Sequence, residues 1–138
     1  MSVSEAPPTA SQHAITCDRD VVNARQHGRG IASEMGFSRP DQALIATAIS
    51  ELARNIVNYA GRGEIELERV SQNGRNGIRI VARDNGPGIA DLEDAMTDGF
   101  STGNSLGLGL PGTRRIVDEF DLVSSPGNGV TVKVTKWQ

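Results

Sequence analysis

The sequence predicts an α+β fold, a two-layer sandwich in which a mostly antiparallel mixed sheet carries helices on one face. Two observations favour this class. Apolar residues recur at helical spacing through the first half of the chain, and after residue 62 they alternate with polar residues, as they do in half-buried strands. The strand-like segments also follow one another through turn-rich connections, which are typical of hairpins and therefore of antiparallel pairing.

Two helices are predicted in the first half, after a short strand over 14–17. Asp18 can cap the first helix, and Gly36 ends it. The second helix begins at Ser38-Arg39-Pro40-Asp41, where a serine precedes an acid by three residues and proline is tolerated in the first turn. Its apolar residues return with the helical period up to the glycine at position 61: Leu44, Ile45, Ala48, Ile49, Leu52, Ile56 and Tyr59.

A hairpin, a third helix and two further strands are predicted in the second half. The hairpin strands lie around 65–67 and 78–82, on either side of a segment rich in Asn and Gly. The third helix spans roughly Leu110 to Phe120. The last two strands lie at about Leu122–Ser124 and Val130–Lys136.

The chain is expected to be one domain with a disordered N-terminal tail. Residues 1–13 are rich in Ser, Pro, Ala and Thr and have little to bury, so they are predicted to be disordered. Residues 14–138 contain no second low-complexity stretch, no linker and no repeat. A chain of 138 residues is long enough for one continuous hydrophobic core.

Composition excludes several classes of function. Lys and Arg number 14 against 17 Asp and Glu, a formal net charge of −3, which argues against a nucleic-acid binder or a binder of anionic membranes. The single cysteine, Cys17, excludes an internal disulfide. No apolar run approaches the about 20 residues of a membrane-spanning helix, and the first residues lack the pattern of a signal peptide. We therefore expect a cytoplasmic location.

The first candidate motif is Glu51-x-x-x-Asn55 on the second helix. Spacing of i, i+4 places both side chains on one face of that helix. A carboxylate can accept a proton from an attacking hydroxyl, and an amide oxygen can ligate Mg²⁺. Such a pair is also common on a solvated helix face, so the spacing alone does not decide between the two interpretations.

The second candidate motif is Asp84-Asn85-Gly86-Pro87-Gly88-Ile89, directly after an apolar strand. A carboxylate at a strand end can accept a hydrogen bond from an exocyclic amine, and the glycines let the backbone approach a flat ring. The same residue types are those of a tight turn. Taken by itself, the motif is compatible with both interpretations.

The third candidate motif is Gly107-x-Gly109-x-x-Gly112, at the start of the third helix. It is not a Rossmann fingerprint, because a polar loop rather than a strand precedes it. Free backbone N–H groups at a helix N-terminus nevertheless favour a phosphate. A flexible loop with a glycine helix start is the alternative. The chain contains neither a P-loop nor the motifs of eukaryotic-type protein kinases.

In this order, the three motifs resemble the N, G1 and G2 boxes of the GHKL superfamily, which includes gyrase, Hsp90, MutL and histidine kinases and has the Bergerat ATP-binding fold. Within it, Ala43–Tyr59, Asp98–Thr102 and Gly107–Phe120 are similar to the stressosome switch kinases. The resemblance runs from about Ile15 to Trp137, nearly the whole chain.

The resemblance implies a role for each motif in a serine/threonine kinase that uses ATP and Mg²⁺. Glu51 is then the general base and Asn55 the Mg²⁺ ligand. Asp84 binds the adenine amine. The remaining implied ATP-binding residues shape the adenine pocket or line the phosphates under a lid from about 99 to 106: Gly86, Gly88, Ile89, Thr102, Gly107, Leu108 and Gly109. One departure concerns the lid, because related anti-sigma kinases carry an arginine there, whereas 103–106 contains no cation.

The resemblance also implies the partners. STAS-domain proteins of the stressosome are the expected substrates, and a PP2C-type phosphatase is the partner that the released kinase activates. No nucleic acid and no membrane is expected as a partner. Two alternatives remain: a nucleotide-binding interaction module whose output is phosphatase activation, and a direct anti-sigma factor with little kinase turnover.

Overall fold

The computed structural model describes residues 10–86, 109–124 and 129–138. Their helices and strands are, in chain order, β1 (Ala10–Ile15), α1 (Asp18–Met35), α2 (Arg39–Ala60), β2 (Gly63–Gln72), β3 (Arg75–Asp84), α3 (Gly109–Ile116), β4 (Glu119–Ser124) and β5 (Val130–Trp137). The strands form one sheet in the order β1-β2-β3-β5-β4, and every pair of neighbours among them is antiparallel. The predicted α+β class is confirmed. In the described residues the sheet is antiparallel and not mixed.

The two long helices begin and end close to the predicted residues. The Ser38 hydroxyl accepts a hydrogen bond from the Asp41 backbone N–H at 3.2 Å, and it thereby caps α2. Gly36 ends α1 in the left-handed conformation, with φ of 91°. The start of α1 differs from the prediction, because Asp18 is its first helical residue. Asp20 stabilises this start instead, since its carboxylate accepts hydrogen bonds from the backbone N–H and the hydroxyl of Thr16.

Two predicted boundaries are wrong. Residues 10–13, expected in the disordered tail, belong to β1, where the backbone from Ala10 onward pairs with β2. Backbone pairing at a sheet edge needs few apolar side chains, so composition did not reveal it. The third helix ends at Ile116, and Phe120 lies in β4 opposite Val134. The chain leaves the helix where the Asp118 N–H donates to the Thr135 carbonyl of β5 at 2.9 Å.

The hydrophobic core lies between the helices and one face of the sheet. Fully buried side chains of α2, such as Ile49, pack against alternate residues of the strands, such as Ile65 and Ile80. The opposite face carries charges, with Arg79 bonded to Glu68 and Arg83 to Glu66. None of the helices in the described ranges combines the length and the apolar character that crossing a membrane requires.

The helices α1 and α2 approach each other closely at Gly28. A Cβ atom at this position would overlap the Cδ1 atom of Ile49, whose side chain is fully buried. Gly30 lies two residues further along the same helix, and a Cβ atom there would meet nothing within 4 Å. The two glycines therefore differ in packing while sharing a helical backbone.

We expect Gly28→Ala to unfold more easily than Gly30→Ala, by about 1–3 kcal/mol, the usual cost of overpacking a core. Both substitutions gain the same helix propensity, so the difference between them isolates the contact with Ile49. Urea unfolding of the two variants measures it. Equal free energies of unfolding would show that Ile49 moves aside at no cost and that the close approach is not required.

Candidate active site

Glu51 joins the middle of α2 to the start of α3. Its residue is 3% exposed, so the carboxylate needs hydrogen-bond donors inside the protein. Arg54 Nη1 donates to Oε1 at 2.9 Å, and the backbone N–H of Gly109 donates to Oε2 at 3.2 Å. The sequence predicted that the N-terminus of α3 binds an anionic group. In this structure it binds the carboxylate of Glu51.

A narrow, mostly apolar cleft with a free volume of about 20 Å³ opens beside this contact. Asn55 and Asp84 place two polar groups in its wall. Apolar residues of α2, β3, α3 and β5 form the rest: Leu52, Ile56, Tyr59, Ala82, Leu110, Val130 and Val132. Apolar walls with two convergent polar groups suit a flat heteroaromatic ring that carries an amine.

Asp84 is fixed by backbone groups at the end of β3. Its Oδ1 accepts hydrogen bonds from the N–H of Gly86 at 2.9 Å and from the N–H of Val130 at 3.3 Å. Among the described residues none donates to Oδ2, and an ionised carboxylate can accept further hydrogen bonds at either oxygen. The carboxylate is therefore both held in place and able to accept a further hydrogen bond.

Two glycines allow the backbone to pass this close to Asp84. At Gly86 a Cβ atom would lie 2.6 Å from the Cβ of Ala60 at the end of α2. At Gly129 φ is 84°, and a Cβ atom would overlap the carbonyl oxygen of Asp84. The sequence did not predict Gly129 as a site residue. A glycine directly before a strand was the one signal that it offered.

Asn55 has hydrogen-bonding capacity left for a ligand. Its buried Nδ2 has no partner among the described residues. Since a carboxamide can be turned over, either its nitrogen or its oxygen can face the cleft. An amide oxygen suits Mg²⁺, which binds through one or two protein groups together with waters and substrate phosphates. Among the described residues no three His, Cys, Asp or Glu side chains form a separate metal site.

The structure brings together part of the predicted site. Asn55 and Asp84 line the same cleft, with Gly86 beside Asp84, and Glu51 contacts Gly109. The other predicted ATP-binding residues and the predicted lid over 99–106 lie outside the described residues: Gly88, Ile89, Thr102, Gly107 and Leu108. Arg54 was missed, although its i, i+3 spacing from Glu51 is visible in the sequence.

Comparison with known proteins decides the family. Residues 40–137 match the family of histidine kinase-, DNA gyrase B-, and HSP90-like ATPases. The chain belongs to this family. Over 123 residues it is 53% identical to the serine/threonine-protein kinase RsbT of Bacillus subtilis, a similarity that covers 89% of this chain and 92% of that protein. It is 30% identical over 118 residues to the anti-sigma F factor of Thermoanaerobacter sp., covering 83% of this chain and 82% of that protein.

The fold agrees with a solved structure of the RsbU and RsbW domains of a Mycobacterium tuberculosis protein. The TM-score is 0.66 at 19% identity, over 96% of this chain and 34% of that longer chain. The likeness to this ATPase family that the sequence predicted is confirmed, and ATP is the nucleotide that the family uses. The roles of the individual residues remain predictions.

We expect Asp84→Asn to weaken ATP binding by about ten- to a hundred-fold. The amide oxygen can still accept hydrogen bonds from the N–H groups of Gly86 and Val130. The adenine amine, however, then faces an NH₂ donor or a weaker acceptor than a carboxylate. The variant should also lose its preference for ATP over GTP. Calorimetry with both nucleotides measures this. Asp121→Asn, an exposed acid on β4, is the control and should bind like the unaltered protein. Equal affinity of the unaltered protein for ATP and GTP would contradict the assignment of Asp84.

Proposed function

We propose that the chain is a serine/threonine kinase that phosphorylates STAS-domain proteins of the stressosome and that, once released from them, activates a PP2C-type phosphatase. The observation that carries the kinase activity is the position of Glu51. Its nearly buried carboxylate lies one helical turn before Asn55, which lines the cleft with Asp84, and it contacts Gly109, the residue before Leu110 in the cleft wall. Similarity along 92% of a protein named as a serine/threonine kinase supports the same activity.

The residues of the site divide the work of the transfer. Asp84 orients the adenine ring, and Asn55 would hold Mg²⁺, which when bound would supply positive charge to the phosphates. Glu51 takes the proton from the hydroxyl of the acceptor serine or threonine. As that proton leaves, the hydroxyl oxygen bonds to the γ-phosphorus, the bond from the γ-phosphorus to the bridging oxygen breaks, and ADP departs. A phosphorylated side chain and a protonated Glu51 result.

A direct anti-sigma factor is the second candidate function. The 30% identity to the anti-sigma F factor of Thermoanaerobacter sp. favours it, since that relative is covered over 82% of its length. The two functions differ in their products. A kinase of the stressosome leaves phosphate on a STAS-domain protein, whereas an anti-sigma factor binds a sigma factor and need not turn over ATP rapidly.

Glu51→Gln should lower phosphate transfer to a STAS-domain protein by about 10²–10⁴-fold, because it removes the proton acceptor while keeping the length of the side chain. ATP affinity should change far less, since the base acts on the incoming hydroxyl. Radiolabelled transfer to candidate STAS-domain proteins, run beside nucleotide binding and a phosphatase-activation assay, measures each quantity. Glu34→Gln is the matched control, since this glutamate pairs with Arg69 on the surface.

The outcomes separate the candidate functions. Full-rate transfer by Glu51→Gln would exclude Glu51 as the base. No transfer by the unaltered protein to any STAS-domain protein, together with intact phosphatase activation, would favour the interaction module. Capture of a sigma factor without transfer would favour the anti-sigma factor.

A further inference from the structure

Both oxygens of the Glu51 carboxylate are occupied in this structure. Arg54 binds Oε1, and the N–H of Gly109 binds Oε2. The Glu51 side chain is 4% exposed and that of Arg54 is 42% exposed, so the guanidinium forms the solvent side of the ion pair. An exposed i, i+3 pair contributes little to a helix, but here one partner is almost completely buried. The guanidinium therefore lies between the proposed base and the solvent.

We propose that Arg54 determines which acceptor receives the phosphoryl group. It shields Oε1 of Glu51 from water. It releases the carboxylate when oxygen atoms of an acceptor protein bind the guanidinium in its place. This inference rests on the proposed function, in which Glu51 is the general base. Arg54 is then a positioning residue, since it acts on the reaction through Glu51.

The chemistry explains why such control is needed. With water as the acceptor, Glu51 takes a proton from water, the water oxygen bonds to the γ-phosphorus, and ADP and inorganic phosphate leave. With a serine hydroxyl, the same proton transfer gives ADP and phosphoserine. The same base can catalyse both reactions. A kinase that uses ATP only to phosphorylate a protein must therefore slow the reaction with water.

A charge-assisted bond discriminates between the two acceptors. A water molecule that reaches Oε1 must break the 2.9 Å contact and leaves the guanidinium without its carboxylate. A protein segment brings carbonyl or carboxylate oxygens beside its hydroxyl, and these can bind the guanidinium as it leaves. The acceptor chemistry that this predicts is a serine or threonine with an exposed oxygen acceptor next to it.

The groove beside Glu51 has room for the displaced guanidinium. It has a volume of about 490 Å³ and lies between α1 and α2, with Arg54 in its wall. Ser50, one helical turn before Arg54, lines the same groove, and its buried Oγ has no hydrogen-bond partner among the described residues. The groove therefore gives the guanidinium space to move into once a protein acceptor has bound it.

Arg54→Ala should raise ATP hydrolysis by the protein alone by about tenfold or more, which is part of the 10²–10⁴-fold that a general base contributes. The assay measures phosphate release at saturating ATP and Mg²⁺ without a partner protein. Arg54→Gln should behave alike, because it removes the charge with a milder change of shape, and Arg54→Lys should stay near the unaltered rate. Adding Glu51→Gln to Arg54→Ala should abolish the gain. Arg69→Ala, which breaks the ion pair with Glu34, is the matched control and should hydrolyse ATP like the unaltered protein.

The ion pair itself has a readout that needs no turnover. The guanidinium NMR signals of Arg54 in the nucleotide-free protein should shift in Glu51→Gln and stay unchanged in Glu34→Gln. Identical Arg54 signals in the unaltered protein and in Glu51→Gln would overturn the inference, because the contact would then not exist in solution.

Hydrolysis by a folded Arg54→Ala or Arg54→Gln that equals or falls below the unaltered rate would also overturn the inference. If the unaltered protein still phosphorylates a STAS-domain protein, that result leaves the proposed function intact. Absence of transfer by the unaltered protein counts against the proposed function, whatever the Arg54 variants do. In the supported case, the fraction of consumed ATP that appears as phosphoserine falls in Arg54→Ala.

Discussion

The site depends on one buried charge, the carboxylate of Glu51. A carboxylate that is removed from water is costly unless donors surround it. The fold supplies one donor from the same helix, Arg54, and one from 58 residues further along the chain, the N–H of Gly109. The second bond attaches the start of α3 to the middle of α2. It therefore also places Leu110, the next residue, in the wall of the cleft.

Asp84 repeats this design at the other side of the cleft. Its Oδ1 is held by two backbone N–H groups, one from the residues that follow β3 and one from the start of β5. The glycines at 86 and 129 make room for this arrangement, because a Cβ atom at Gly86 would crowd Ala60 and one at Gly129 would overlap the carbonyl oxygen of Asp84. Glycine at these places is a packing requirement of the site as much as a means of turning the chain.

The sequence predicted the helices and strands that have a local sequence pattern. It gave the wrong secondary structure where pairing with a distant strand determines the conformation. The helix α2 and the hairpin of β2 and β3 have long periodic patterns, and both were found. The apolar spacing of Ile116, Val117 and Phe120 also suits a helix, but pairing with β5 draws Phe120 into a strand. Among the candidate site residues, Glu51 and Asp84 stood out as parts of motifs. The role of Arg54 could not be predicted, because the burial of Glu51 appears only once α3 packs against α2.

The same contacts that hold Glu51 in place also limit it as a base. Both carboxylate oxygens already accept a hydrogen bond, so an acceptor hydroxyl must displace one donor or share an oxygen with it. The segment over 103–106 contains no cation, whereas Arg54 binds the carboxylate of the proposed base, and Arg25 and Arg29 line the same groove as Glu51. In a protein that acts by changing its binding partner, selectivity of the base for the protein acceptor matters more than rapid turnover. In this interpretation the restraint on Glu51 belongs to the function of the site.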